Sequence, residues 1–148
     1  MFRHVTQIDG KEYKIDLWDT AGQDQYKKLH PSYYFDADGC VMVFDVTRKS
    51  TYQNLKHWYT MLKKYSGNIP VILVANKFDL KPEITNKKFK FSEKFNIPLY
   101  FTSAANGVNV VKVFDDILKM SIESKKRGTD CFVKNVLEAI EDDDELFA

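Results

Sequence analysis

No apolar run in these 148 residues approaches the roughly 18 needed for a membrane-spanning helix. The opening residues also lack the apolar core of a secretory signal, so a cytoplasmic protein is expected. Cysteine is scarce: Cys40 and Cys131 stand far apart, without metal-ligand spacing and with no histidine close by in sequence. Cys40 falls inside Gly39-Cys40-Val41-Met42-Val43-Phe44, which reads as a buried free thiol in a reducing compartment. Net charge of one sign is nearly absent at +1, and the lysine pairs are dispersed, so nothing here points to nucleic acid. Repeats are missing, and the one biased tract is the acidic Glu141–Glu145. What remains is 44% hydrophobic and 29% charged, the composition of one ordinary globular domain large enough to bury a core without disulfides. Charge is unevenly spread, because residues 127–148 hold seven acidic against two basic side chains and the rest is mildly basic.

The pattern along the chain alternates strands and helices. Phe2–Ile8 and Lys11–Asp19 are extended segments joined by Asp9-Gly10, a strong hairpin signal, with Tyr13, Ile15 and Leu17 at period two. Gly39–Phe44, Val71–Ala75 and Leu99–Phe101 are short apolar runs suited to strands buried on both faces. Between and after them Ser50–Tyr65, Glu83–Phe95 and Val110–Ser124 carry helical spacing. The last places Val110, Val113, Phe114, Ile117 and Leu118 on one side. Pro70 and Pro98 stand just before strands. Together these predict an α/β fold with a mostly parallel sheet and helices packed on it by right-handed crossovers. A break is expected over residues 125–131, followed by a separate helix capped by Thr129 or Asp130. The expected division is therefore a domain over 1–126 and an acidic helix or tail over 127–148.

Three polar clusters each follow an expected strand: Asp19-Thr20-Ala21-Gly22-Gln23, Asn76-Lys77-Phe78-Asp79 and Thr102-Ser103-Ala104. In open parallel sheets ligands sit beyond the carboxyl ends of strands, so all three belong to one candidate site. Asp19 is a strand-end carboxylate able to hold Mg²⁺ through its water shell. Gly22 lets a backbone N–H approach a phosphate oxygen, and Gln23 can orient an attacking water. Asp79 is an acceptor-only carboxylate matched to the adjacent N1–H and N2–H donors of guanine, which adenine lacks. Lys77 can lay its aliphatic stem along a base, and Asn76 can bond the base and tie loops together. The small Ser103-Ala104 pair lets a backbone N–H reach the guanine oxygen.

With these motifs in order, the chain resembles Ras-superfamily small GTPases of the Rab-like kind. WDTAGQ at 18–23 matches their switch II motif, NKFD at 76–79 their guanine-specificity motif, and TSA at 102–104 their third base loop. SYY at 32–34, FDVT at 44–47 and GVNV at 107–110 are Rab-like as well, and the resemblance runs from about Phe2 to Lys126. VMVFDVTRKSTYQNL and IPLYFTSAANGVNVVKVF look closest to the Rab-like type 2 branch, which is associated with cilia and intraflagellar transport. The resemblance implies the P-loop NTPase or small-G-protein fold, GTP or GDP with Mg²⁺, and GTP hydrolysis assisted by Gln23. It further implies effectors and regulators meeting switch II around Trp18 and Tyr33. Location would be cytoplasmic, with the cilium or basal body as the finer expectation.

Several positions depart from the pattern. Ala105 stands where the family commonly has lysine, and Phe35-Asp36 where Rab proteins commonly have Arg-Gly. No cysteine occurs in the last seventeen residues, so no prenyl anchor and no stable membrane attachment are expected. Gly-x-x-x-x-Gly-Lys-[Ser/Thr] occurs nowhere in the sequence. The resemblance places that phosphate loop upstream of the hairpin, after a first strand that would lie between Tyr13–Asp19 and Gly39–Phe44. The expectation is therefore a fold lacking the first strand, the phosphate loop and the first helix, an N-terminal truncation with impaired GTP turnover. Set against the switch are two alternatives, a nucleotide-independent interaction module that kept the base-side loops and a non-functional fragment.

Overall fold

The computed structural model describes residues 1–20 and 34–147, with side chains described through Phe132. It divides into two units, Met1–Asp36 and Ala37–Ala148. In the first, β1 (Phe2–Ile8) and β2 (Lys11–Leu17) form an antiparallel hairpin with Ile8 opposite Lys11. The two turn residues, Asp9 (φ 50°) and Gly10 (φ 76°), both have positive φ, as a primed two-residue turn demands and as the Asp-Gly signal predicts. Arg3 grips Asp16 across the strands in a bidentate pair, with Nε–Oδ1 at 2.6 Å and Nη2–Oδ2 at 2.8 Å.

The second unit is built on three parallel strands in the order β3 (Cys40–Asp45), β4 (Val71–Asn76) and β5 (Leu99–Thr102). β4 lies in the middle, and Val71–Ala75 are all buried, which is why it reads as an unbroken apolar run. Alternation along the strands sends Ile72 and Val74 to one face and Leu73 and Ala75 to the other. Ile72 and Val74 pack with Val113 and Ile117 of α4 (Val110–Phe147), joined by Val41, Tyr100 and Met120. A side chain at Gly39, just before β3, would collide with Ser121 Oγ and Ile117, so α4 approaches the sheet more closely there than a Cβ allows. The opposite face is aromatic. Phe44 meets Tyr52 of α1 (Lys49–Gln53) at 5.1 Å and Phe89 at 5.2 Å, and Phe89 also contacts Phe101. Beyond it α2 (Leu55–Ser66) and α3 (Lys90–Phe95) join through Tyr59, whose ring lies 5.5 Å from Phe91 and 4.5 Å from Phe95. Helices thus cover both faces of the parallel sheet, as expected.

Three expectations about elements need correction. The helix expected over Ser50–Tyr65 is divided at Asn54 into α1 and α2. The helix expected over Glu83–Phe95 is a 3-10 turn, Pro82–Asn86, followed by the short α3. Between them Phe89 is extended (φ −108°, ψ 107°), and that detour inserts its ring among Phe44, Tyr52 and Phe101, 5% exposed. Burial of one Phe contributes about 1.5–3 kcal/mol, enough to outweigh local helical spacing. Finally, no break occurs at 125–131, because α4 runs on to Phe147. Thr129 is not a cap: its hydroxyl donates to the carbonyl of Lys125 (3.1 Å), four residues back inside the helix. Phe114, expected on the packed side of α4, is 44% exposed.

Candidate functional site

The three parallel strands end level with one another. Asp45 pairs in register with Asn76, and Asn76 with Thr102, so the loops after β3, β4 and β5 leave from one edge. This carboxyl edge is where ligands bind in open α/β sheets. It brings together Asn76, Lys77, Asp79, Ser103 and Ala104.

Asn76 is the tie between the loops. Its Oδ1 accepts the Thr102 hydroxyl and the Ala104 N–H, both at 3.1 Å, while Nδ2 has no acceptor among the described residues. The Ala104 N–H is therefore engaged with Asn76, and the next amide along, Ala105 N–H, has no acceptor among the described residues. Ser103 is fully buried; its N–H donates to the Val108 carbonyl and its Oγ accepts the Asn106 N–H, both at 3.2 Å. Asn109 Nδ2 donates to the Phe101 carbonyl at 2.8 Å, closing the loop back onto β5. A small residue suits position 103 because Ser103 is fully buried with both its N–H and its Oγ bonded inside the loop.

Lys77 sits at φ 65°, ψ 30°, a left-handed conformation that costs an L-residue about 1–2 kcal/mol. Asp45 offsets that cost. Its Oδ2 lies 2.7 Å from Lys77 Nζ, and its Oδ1 accepts the N–H and the hydroxyl of Thr47 at 2.9 and 2.6 Å. Burial alone would push the Asp45 carboxyl up, but hydrogen bonds from Lys77 and Thr47 outweigh burial and hold its pKa at about 2. In the sequence Asp45 stands out only as part of FDVT at 44–47. Its signal was an acid ending a strand whose register neighbour precedes Lys77.

The left-handed Lys77 starts the 3-10 turn Phe78–Leu80, in which the Leu80 N–H donates to the Lys77 carbonyl at 3.1 Å. That turn carries Asp79, half-buried and with no donor to its carboxylate among the described residues. A carboxylate in this setting is an acceptor for a ligand's N–H groups, so the residues present fit a base with two adjacent donors.

Asp19 and Trp18 belong to the Met1–Asp36 unit, where both are exposed. Gly22, Gln23 and Tyr33 lie outside the described residues. Among the described residues there is no group of three His, Cys, Asp or Glu side chains placed to hold a metal ion. Cys40 is half-buried, and burial pushes its thiol up to about 11, which leaves it inert rather than nucleophilic.

A parallel sheet with helices on both faces and a polar, carboxylate-bearing loop cluster at its carboxyl edge defines an α/β domain of the small-G-protein kind. The sequence model of the Ras family matches residues 1–123, and the chain belongs to that family, among its Rab-like members. It is 47% identical over 141 residues to Rab-like protein 2A of Mus musculus, covering 95% of this chain and 63% of that protein. Rab-like protein 2A of Pongo abelii and Rab-like protein 2B of Homo sapiens are each 45% identical over 141 residues, covering 95% of this chain and 61% of theirs. The chain thus spans about three fifths of the length of the curated relatives it matches.

Proposed function

We propose that this protein is a GTP-binding molecular switch of the Rab-like type acting in intracellular transport, with the ciliary, intraflagellar role associated with the type 2 branch. The observation that carries the reading is the base-side loop cluster. Asn76 locks the β4 and β5 loops together, Lys77 is braced by Asp45, and Asp79 is left half-buried without a donor among the described residues. Guanine would satisfy that carboxylate through N1–H and N2–H, whereas adenine would leave it desolvated and unpaired. Lys77 would lie along the base with its stem. The Ser103-Ala104 loop would supply a backbone N–H to the base oxygen, either from Ala105 or from Ala104 once Asn76 turns to the ligand.

On the phosphate side, Asp19 would hold Mg²⁺ through its water shell and Gly22 would admit a backbone N–H to a phosphate oxygen. Gln23 would orient the water that hydrolyses GTP to GDP. Effectors and regulators would read switch II through Trp18, 55% exposed, and Tyr33. The nucleotide-binding domain is taken as residues 1–126, and 127–148 as an acidic appendage to it. No helix among the described residues is long and apolar enough to cross a membrane, and the reading requires neither a lipid anchor nor nucleic acid.

Displacement of fluorescent GDP by GTP and by ATP tests the base side. Asp79→Ala is expected to erode the preference for GTP over ATP by tenfold or more, about 1.4 kcal/mol. An unchanged preference would overturn the assignment.

A further inference from the structure

Residues 46–100 contain eleven basic and three acidic side chains, far from the chain's overall balance of +1. The structure gathers part of this excess on one side. Lys56, Tyr59 and Lys63 follow one another along a stripe of α2, at i, i+3 and i+7. Tyr59 is the ring that packs against Phe91 and Phe95 of α3, which carries Lys90 and Lys94 four residues apart. Lys63 Nζ lies 5.4 Å from the Tyr59 ring centre and Lys94 Nζ 5.4 Å from that of Phe95, so both ammonium groups flank the same aromatic seam. Among the described residues none of Lys56, Lys63, Lys90 and Lys94 forms an ion pair with a carboxylate. Glu93 is the one acid on these two helices.

The chain carries the complementary charge elsewhere. Residues 138–145 hold six carboxylates and no basic side chain, near the end of α4. α4 packs on the Ile72–Val74 face of the sheet, whereas α2 and α3 join the Phe44–Phe89 face. Beyond Lys125, which pairs with Asp38 at 2.9 Å, the helix continues for about 30 Å at 1.5 Å per residue. A continuous helix starting on one face cannot bring its far end to the opposite face of its own sheet.

We propose that the α2–α3 lysine face is a docking surface for a second copy of this chain, engaged by the acidic 138–145 segment of that copy's α4. The contact is head-to-tail, so it either closes into a ring or propagates. An anionic lipid surface is disfavoured as the occupant, because a membrane that attracted the lysines would repel the acidic helix end.

Sedimentation of the full chain at low and high salt tests this. At about 50 mM salt the mass-average is expected to rise above monomer between about 10 and 200 µM, and to return to monomer at about 500 mM, where screening is stronger. Lys56→Glu, Lys63→Glu, Lys90→Glu and Lys94→Glu together are expected to weaken association at least tenfold. Asp142→Lys, Asp143→Lys and Asp144→Lys together are expected to do the same. Mixing the two charge-reversed proteins is expected to restore it, since the unaltered acidic segment of one then meets the unaltered lysine face of the other. The exposed pair Lys90→Glu and Lys94→Glu covers the case in which Lys63, seated on Tyr59, is needed for folding. A monomer at every concentration in low salt overturns the proposal. So does association unaffected by the Asp142–Asp144 reversal, or binding to phosphatidylserine vesicles that depends on the lysines while no self-association occurs.

Discussion

Asp45→Asn isolates the brace beneath the candidate base loop. The amide keeps Oδ1 as an acceptor for Thr47 and removes the charge that holds Lys77 Nζ at 2.7 Å. A fall in pKa from 3.8 to about 2 corresponds in full to about 2.5 kcal/mol. The Lys77 side chain is 50% exposed, so solvent screening reduces the expected loss to about 1 kcal/mol. For a chain of this size that is about 2–4 °C in Tm.

The pH dependence carries the sign. The folded-state pKa of Asp45 lies below its unfolded value, so its contribution is present above pH 3.8 and is lost as pH falls through about 2. Urea denaturation at pH 7, 5, 4 and 3 is expected to show a gap between wild type and variant that is level down to pH 5. By about pH 3 roughly half of that gap should be gone. No gap at pH 7, or a gap of constant size down to pH 3, would refute the role given to this carboxylate.

Three further outcomes follow from the same geometry. Because Lys77 is left-handed at φ 65°, Lys77→Gly is expected to be more stable than Lys77→Ala by about 1 kcal/mol, read by thermal denaturation. Asn76→Ala leaves the buried Thr102 hydroxyl without its acceptor and should cost about 1–3 kcal/mol in chemical denaturation, together with faster amide exchange at Ala104. Phe89→Ala empties the seam among Phe44, Tyr52 and Phe101 and should cost about 3–5 kcal/mol. Phe91→Ala, on the half-buried outer seam with Tyr59, should cost distinctly less in the same assay.

Local chemistry made much of the architecture readable from sequence. Asp9-Gly10 could only be a tight turn between two extended arms, since two successive positive φ values suit Asp and Gly and few other pairs. Val71–Ala75 reads as a central strand because nothing in it is polar, and Pro70 and Pro98 mark where strands begin. Asn76, Lys77, Asp79, Ser103 and Ala104 are identifiable as site candidates because they lie at or just beyond strand ends, and a parallel sheet gathers such positions at one edge.

Tertiary packing decided the rest. Helical spacing over Glu83–Phe95 gave way to an extended Phe89, because a ring buried between α1 and the sheet gains more than three residues of helix lose. The polar, glycine-bearing stretch 125–131 looked like a break, yet α4 passes through it, since propagating a formed helix costs far less than nucleating a new one. Asp45 drew no attention in sequence, because its partner lies 32 residues on and only the parallel register of β3 and β4 makes them neighbours. Periodicity and turn chemistry act over a few residues, and so the sequence by itself determined strands, turns and the polar loops after them. Which carboxylate braces which lysine is a relation across the sheet, and only the folded register decided it.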